Sequence, residues 1–217
     1  MIITLDGQSG TGKSTLALNV AKRLNFKCLN TGMIYRALSY YLYINNVMPD
    51  MLEQISNILK DINIKITFKG QNQFVRINKL DCTPFVSNKE VQETVSLYSQ
   101  ILELREKVTY IQRSFAMQND VVVEGRDIGT HVFPNADYKF FVTCDIMVRA
   151  KRRLTDLKNA GQDINLQQVI ESLKTRDMLD STRLFSPLKR ADDAIDIDTS
   201  NSTIKQTVDQ ILSYIKG

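Results

Sequence analysis

Residues 7 to 15 read Gly7-Gln8-Ser9-Gly10-Thr11-Gly12-Lys13-Ser14-Thr15 and begin one residue after the apolar run Ile2-Ile3-Thr4-Leu5. They match the phosphate-binding pattern G-x-x-x-x-G-K-[ST], placed where a first strand turns into a first helix. Its glycines let the backbone turn N–H groups towards an anion, and the N-terminus of the following helix faces the same point. The pattern predicts a nucleoside triphosphate on residues 7–15, with Lys13 at the terminal phosphates and Ser14 as a ligand of Mg²⁺.

Length and composition are those of an ordinary globular protein. The chain has 217 residues, of which 43% are hydrophobic and 24% charged, enough for one core and a subdomain. The formal net charge of +4 suits an anionic substrate but is too small and dispersed to indicate nucleic acid. We therefore expect a small-molecule partner and no nucleic acid.

Cysteine and histidine usage argues against zinc sites and disulfides. Cys28, Cys82 and Cys144 are far apart in the chain, and His131 is its single histidine. Buried thiols in a reducing compartment are the better interpretation. The chain starts at once with a strand and the phosphate loop, and no apolar run approaches about 18 residues. We therefore expect a cytoplasmic protein without a membrane segment. We also expect a monomer.

Strand-like and helix-like runs alternate along most of the chain, which favours an α/β fold with a parallel sheet. Strands are predicted over 2–5, 27–29, 121–124, 139–143 and 195–198, and helices over 13–24, 33–43, 91–118, 145–158, 166–179 and 202–215. Residues 62–86 interrupt this alternation. Two runs of period two flank Lys69-Gly70-Gln71-Asn72, which predicts a small antiparallel insert.

Two clusters stand where ligands bind in open α/β sheets. Thr31 can cap a helix and Arg36 follows in its early turns, where it could hold an acceptor phosphate or simply lie on the surface. The apolar run Val121–Val123 leads into Glu124-Gly125-Arg126-Asp127, at the carboxyl end of a strand. Glu124 could hold a water on Mg²⁺, Arg126 could meet a phosphate and Asp127 a sugar hydroxyl. The alternative is a tight turn with an internal ion pair.

Two further clusters lie on predicted helices. Arg149, Arg152 and Arg153 share one helix face, which could fold over a triphosphate or be a solvated basic surface. Arg176, Asp180 and Arg183 share one side of a helix that ends before Pro187. In a pocket this row offers donors and an acceptor to a polar ring, and on a surface it would form exposed ion pairs.

Together these motifs resemble bacterial cytidylate kinases. The phosphate loop is followed, in the order of that family, by TGMIYRA (31–37), EGRDIGTHVFPNADYKFF (124–141), RAKRR (149–153) and RDMLDSTRLFSPLKRADDAIDIDTS (176–200). The resemblance implies a P-loop nucleoside monophosphate kinase with a five-stranded parallel sheet. It implies a core of about 1–30, 87–148 and 184–217, a monophosphate-binding region of about 31–86 carrying the insert, and a lid of about 149–183. The implied reaction moves the γ-phosphoryl group of ATP to CMP or dCMP, with Mg²⁺.

The same resemblance assigns roles to individual residues. It implies catalytic roles for Lys13, Arg126, Arg149, Arg152 and Arg153. It places Thr31, Arg36, Arg126, Asp127 and Arg183 at the phosphate and sugar of the acceptor, and Ser96, Arg105, Arg176 and Asp180 near its pyrimidine. Three positions depart from the commonest family pattern, namely Thr31 for serine, Glu124 for aspartate and His131 for valine. The first two keep the chemistry.

The acceptor chemistry agrees with these residues. A phosphate oxygen is already ionised near neutral pH, since the second phosphate pKa is about 6, so no general base is needed. An ionised Asp180 would accept from the amino group of cytosine and repel the carbonyl of uracil.

Other functions fit the sequence less well. A kinase for uridylate, thymidylate or shikimate is the nearest alternative. A GTPase switch would need an N-K-x-D motif, and Asn88-Lys89-Glu90-Val91 lacks the aspartate. A nucleotide sensor would not be expected to keep the lid arginines.

Overall fold

A computed structural model describes residues 1–159 and 161–215, in which apolar, β-branched runs form strands that alternate with helices. The strands are β1 (Ile2–Gly7), β2 (Lys27–Asn30), β3 (Ile64–Lys69), β4 (Asn72–Ile77), β5 (Leu80–Asp81), β6 (Val121–Gly125), β7 (Tyr138–Thr143) and β8 (Ile195–Asp198). The helices are α1 (Lys13–Leu24), α2 (Thr31–Ile44), α3 (Leu52–Asp61), α4 (Lys89–Tyr98), α5 (Leu102–Ala116), α6 (Ile146–Asn159), α7 (Leu166–Thr182) and α8 (Ile204–Ile215).

The main sheet has five strands in the order β2-β6-β1-β7-β8. Each neighbouring pair is parallel, which confirms the predicted fold class. Every residue of β6 is buried, because helices cover both faces of the sheet; its first three residues are valines, and the charged Glu124 comes only near the carboxyl end. The carboxyl ends of β1 and β6 lie side by side at the middle of the sheet, so the segments that follow them meet.

The core divides between the two faces of this sheet. On one face, Leu16, Ala17 and Val20 of α1 pack with Ile3 and Leu5 of β1 and with α8. On the other face α2, α3, α5 and the insert pack together around residues such as Leu38, Ile55, Ile77 and Leu104. A separate small cluster joins α6 to α7 through Ala150, Val169 and Leu173. Helices α6 and α7 thus have an apolar core of their own.

The predicted insert is a three-stranded antiparallel sheet. Strand β3 pairs with β4 across the turn at Gly70-Gln71, which confirms the hairpin, and β4 also pairs with the short β5. Val75 and Ile77 of β4 are buried against the core of the molecule. The insert is therefore packed onto the helices beside it.

The helix predicted over 91–118 is wrong, because the chain bends there and forms α4 and α5. Tyr98 is buried at the bend and donates its hydroxyl hydrogen to the carbonyl oxygen of Val47, 2.7 Å away. Arg105 donates from Nη1 to the carbonyl oxygen of Ser99 at 3.0 Å, which satisfies an acceptor that the break leaves free. Helix α3 was not predicted, although Ile55, Ile58 and Leu59 have helical spacing.

Across residues 1–159 and 161–215, the helices are all too short or too polar to cross a membrane.

Candidate active site

The phosphate loop joins β1 to α1, and its conformation depends on glycine. Gly7 has φ of +146°, and a Cβ atom there would lie 2.1 Å from the carbonyl oxygen of Val142 on the neighbouring β7. Gly12, with φ of +89°, is the left-handed residue from which α1 starts. The chain can therefore turn sharply from the sheet into the helix and leave the loop N–H groups at the helix N-terminus.

Lys13 is folded back onto this loop. Its Nζ donates to the carbonyl oxygen of Gln8 and to Thr11 Oγ1, the latter at 3.1 Å. Burial, with a smaller contribution from the charge of Arg126, lowers the pKa of Lys13 to about 7. An anion in the loop would relieve this cost, so the ammonium group is prepared for a phosphate.

Ser14 and Glu124 lie next to each other across the sheet ends. Ser14 Oγ donates to Glu124 Oε1 at 2.9 Å, and Glu124 is buried at the end of β6. A hydroxyl and a carboxylate are hard oxygen donors of the kind that Mg²⁺ binds while it keeps several waters. The pair has the oxygen donors that the predicted magnesium site requires, and the site itself stays a prediction.

One cavity of about 720 Å³ runs from the phosphate loop to the turn after β6 and the residues of α7 that face it. We call this second end, with Arg126, Asp127 and Asp180, the acceptor side. Its lining includes predicted site residues from Ser9 to Thr15 and, beyond the loop, Thr31, Arg36, Ser96, Glu124, Arg126, Asp127, Arg152, Arg153, Arg176, Asp180 and Arg183. Seven lysine or arginine side chains and four carboxylates line it, so its walls carry an excess of positive charge. Such a cavity suits two phosphate-bearing ligands placed together.

Four predicted residues lie outside this lining. Gly7 and Gln8 shape the loop from behind, and Arg105 is buried beneath the acceptor side. Arg149 is buried behind the phosphate loop, where its Nη1 donates to Asp177 Oδ2 at 2.6 Å and to the carbonyl oxygen of Ser9 at 3.0 Å. The expectation that Arg149 faces the triphosphate therefore does not match its position, because α6 turns this side chain inwards.

The other two arginines of α6 reach the cavity. Arg152 donates from Nη2 to the carbonyl oxygen of Thr199 at 2.8 Å, beside the end of β8. Arg153 lines the cavity itself. The three arginines predicted to share one face of α6 therefore point to different places. Arg152 and Arg153 line the cavity, and Arg149 contacts the phosphate loop from behind.

Arginine–aspartate pairs organise the acceptor side. Arg126 Nε donates to Asp180 Oδ2 at 2.7 Å. Asp127 accepts from Arg105 Nη2 at 2.5 Å and from Arg183 Nη2 at 3.1 Å. Each oxygen of Asp127 thus accepts from one guanidinium group and keeps a further acceptor site, whereas Asp180 has a single close partner.

Local charge sets the protonation of this side of the cavity. Burial by itself would raise the pKa of Asp180, but the charges of Arg126, Arg176 and Arg183 hold it below its usual value. Burial, together with the charge of Arg126, lowers the pKa of Arg176 to about 10. Burial lowers the pKa of Arg36 as well. Asp180 is therefore ionised near neutral pH, and these arginines would gain from a bound anion.

Thr31 and Tyr35 place α2 against this side. Thr31 Oγ1 donates to Gln112 Oε1 of α5 at 2.8 Å, so the hydroxyl predicted to meet the acceptor is held by a buried amide. The guanidinium carbon of Arg105 lies 5.7 Å from the centre of the Tyr35 ring, within reach of a cation–π contact. Burial raises the pKa of Tyr35 to about 12, which keeps its hydroxyl neutral.

Asp6 holds the turn after β6 in place, a role that the sequence did not reveal. Its carboxylate accepts the N–H of Ile128 at 2.9 Å and that of Gly129 at 2.7 Å, which fixes the turn after β6 where Asp127 stands. Burial raises the pKa of Asp6 to about 6, against these two hydrogen bonds. A lone carboxylate in the apolar strand β1 was the available signal. Asp177, which follows Arg176 in a charged motif, was missed as well.

The cysteines and the histidine noted in the sequence do not line the cavity. Cys28, Cys82 and Cys144 are free and buried. His131, the third departure from the family pattern, is exposed on the π-helical turn Ile128–Val132.

Comparison with known proteins gives a consistent result. Residues 3–217 match the family described as cytidylate kinase. A cytidylate kinase of Clostridium botulinum is 41% identical over 214 residues, which cover 99% of this chain and 97% of that protein. One from Halalkalibacterium halodurans is 40% identical over 216 residues, covering 100% and 97%. The structure of an uncharacterized protein from Eubacterium ventriosum shares the fold, with a TM-score of 0.54 at 12% identity, and covers 100% of this chain and 99% of that one.

Proposed function

The chain belongs to the cytidylate kinase family, and from this premise we propose how its cavity carries out the reaction. That reaction transfers the γ-phosphoryl group of ATP to CMP or dCMP and gives ADP and CDP or dCDP. The observation that carries the proposal is that one cavity has the phosphate loop at one end and the Arg126, Asp180 and Arg183 group at the other. No contact in the described residues favours uridylate or thymidylate as the acceptor.

We propose that the phosphate loop binds the donor. The N–H groups of residues 7–15 cradle the phosphates of ATP, and Lys13 swings from Gln8 and Thr11 to the terminal phosphates. Arg152, which is anchored at Thr199, and Arg153 lie over the same end of the cavity. Their charges, with Lys13, offset the charge that spreads over the migrating phosphoryl group.

Ser14 and Glu124 would hold Mg²⁺ at the donor phosphates, Ser14 directly and Glu124 through water. The ion would neutralise phosphate charge during the transfer. Before the ion binds, the Ser14–Glu124 hydrogen bond keeps the two oxygens side by side.

The ion pair between Arg126 and Asp180 would break when the monophosphate binds. We propose that the phosphate group of CMP binds Arg36 and takes Arg126 away from Asp180. Asp180 is then free to accept from the cytosine amino group, and Arg176 can donate to the ring. Asp127, held by Arg105 and Arg183, faces the sugar hydroxyls, and Thr31 and Ser96 complete the wall.

This arrangement works without a general base. The attacking oxygen is already ionised at neutral pH, so positioning and charge neutralisation supply the rate enhancement. Water would compete as acceptor in an open cavity, and we therefore propose that the lid, about 149–183, and the monophosphate-binding region, about 31–86, close over the substrates.

We further infer a monomeric, cytoplasmic enzyme of pyrimidine nucleotide metabolism. One chain supplies both ends of the cavity, and the free thiols fit a reducing compartment.

A coupled ADP-release assay tests the function directly. The purified protein is incubated with ATP, Mg²⁺ and either CMP, dCMP, UMP, dTMP or shikimate. We expect rapid turnover with CMP or dCMP and much slower turnover with the others. Preferential turnover of UMP, dTMP or shikimate would contradict the proposal, as would ADP release that no acceptor accelerates.

A further inference from the structure

The peptide unit around Ser9 in the phosphate loop is held from both sides by helices α6 and α7. The Ser9 N–H donates to Asp177 Oδ1 of α7 at 3.2 Å, and the Ser9 carbonyl oxygen accepts from Arg149 Nη1 of α6 at 3.0 Å. The two side chains pair with each other at 2.6 Å. Two helices far along the chain therefore grip one residue of the donor loop.

The grip is buried and closely packed. Arg149 is 4% exposed and Asp177 is 8% exposed. A Cβ atom at Gly10 would lie 3.5 Å from Arg149 Cβ and 3.7 Å from Leu173 Cδ2, so the helices lie directly on the loop. A buried ion pair gives little net stability, because desolvation offsets its attraction. Its clearer consequence is that it fixes the position of Ser9 relative to the two helices.

The same helices carry the residues that face both substrates. Helix α6 presents Arg152 and Arg153 to the cavity, and α7 presents Arg176 one residue before Asp177, and Asp180 one turn after Arg176. Ala150, Val169 and Leu173 join the two helices in their own apolar cluster, apart from the two main clusters. The pair can thus move as a body, and any such movement must pull on Ser9.

We propose that Arg149 and Asp177 form a latch that couples the phosphate loop to α6 and α7. Arg149 and Asp177 are positioning residues, since they lie outside the cavity lining and act through the Ser9 backbone. A donor that fixes the conformation of the loop also fixes the position of α7, which carries Arg176 and Asp180. ATP and CMP therefore raise each other's affinity. The proposal rests on the proposed function for the identity of the two ligands.

Calorimetric binding of a non-hydrolysable ATP analogue with Mg²⁺, with and without saturating CMP, measures this coupling. For the wild-type chain we expect about tenfold tighter binding of the analogue when CMP is present. The double variant Arg149→Met/Asp177→Leu replaces the buried pair by apolar side chains, an exchange that is often neutral for stability. We expect it to fold and to bind both ligands with no effect of one on the other.

Two single variants sharpen the test. Asp177→Asn keeps the size and an oxygen acceptor but loses the charge, so the coupling should fall only in part. Glu171→Gln makes the same charge change at an exposed position of α7 and should match the wild-type chain. Wild-type coupling in the double variant, or no coupling in the wild-type chain, overturns the latch.

The rate of hydrogen exchange at the Ser9 amide tests the latch in the absence of any nucleotide. Loss of Asp177 should speed exchange of the Ser9 N–H in the double variant and leave it unchanged in Glu171→Gln. If this amide is no faster in the double variant, the latch is absent whatever the enzyme phosphorylates. A wild-type chain that phosphorylates no pyrimidine monophosphate would instead contradict the proposed function and leave the exchange result standing.

Discussion

Arg126 and Asp180 form a hydrogen-bonded ion pair across the acceptor side of the cavity, with 2.7 Å between Nε and Oδ2. One residue follows strand β6 and the other belongs to α7, so the pair joins the sheet to that helix. Each partner neutralises the other while the cavity holds no substrate. In the mechanism proposed above, a phosphate that displaces Asp180 from Arg126 also frees this carboxylate to accept a hydrogen bond from the base.

Asp180→Ala should erode the preference for cytosine over uracil. Loss of a hydrogen-bonding partner for the cytosine amino group can be worth about 10⁴-fold in favourable sites, so we expect the ratio of kcat/KM for CMP to that for UMP to fall by at least about tenfold. The KM for ATP should change little. Steady-state kinetics with both monophosphates measure the ratio, and a ratio equal to that of the wild-type chain would remove Asp180 from base recognition.

Lys13→Met should lower turnover by about 10²- to 10³-fold, because the variant loses a charge aimed at the migrating phosphoryl group. The fold should survive, since methionine fills the buried space without the desolvation cost of an ammonium group. Coupled kinetics and thermal denaturation followed by circular dichroism measure the two effects. Near-normal turnover in a folded variant would show that Lys13 is not part of the mechanism.

Donor binding should take up a proton between about pH 7 and pH 9. Burial lowers the pKa of Lys13 to about 7, so the ligand-free lysine is largely neutral at pH 8, and triphosphate would raise its pKa again. Calorimetry of the non-hydrolysable ATP analogue in buffers of different ionisation enthalpy counts the protons. The uptake should disappear in Lys13→Met, and equal uptake in both proteins would assign it to another group.

The same pKa predicts how the stability of the ligand-free protein depends on pH. Between the folded value of about 7 and the usual value of 10.5, the unfolded chain binds more protons at Lys13 than the folded chain does. The contribution of Lys13 to the free energy of unfolding therefore rises with pH across this window and is flat below it. Urea denaturation of the wild-type chain and Lys13→Met at pH 7 and pH 9 isolates this slope.

Gly7→Ala should destabilise the protein by about 3 kcal/mol, because the new Cβ would overlap a backbone oxygen that cannot move freely. That oxygen belongs to Val142, 2.1 Å from the Cβ position. Gly70→Ala is the matched control, since Gly70 has φ of +62° but no atom within 4 Å of its Cβ position. It should cost only about 1 kcal/mol for the left-handed backbone. Similar losses in the two variants would show that Val142 is not the cause.

Local chemistry in the sequence was enough to predict the strands of the main sheet and the loop between β1 and α1. The phosphate loop is a contiguous run of residues, and the strand before it is apolar, so both can be recognised without knowing their neighbours. The hairpin of the insert has period two on both sides of Gly70-Gln71 and was found for the same reason.

Features that depend on distant partners could not be predicted in this way. No glycine or proline marks the break between α4 and α5, because the buried contact of Tyr98 with Val47 sets it, from 51 residues away. The charges of Arg149 and Arg152 look alike in the sequence. Only the packing of α6 against the phosphate loop turns one to Ser9 and the other to Thr199.

The order of the main sheet has a consequence for engineering this chain. Strands β1 and β6 are immediate neighbours, so the donor loop and the acceptor turn begin one strand spacing apart, about 5 Å. Backbone hydrogen bonds between β1 and β6 fix this distance. The insert and the helices α6 and α7 lie outside these two strands. If the proposed reaction holds, we expect that exchanging these peripheral parts for those of relatives changes which nucleotide binds and leaves the direction of phosphoryl transfer the same.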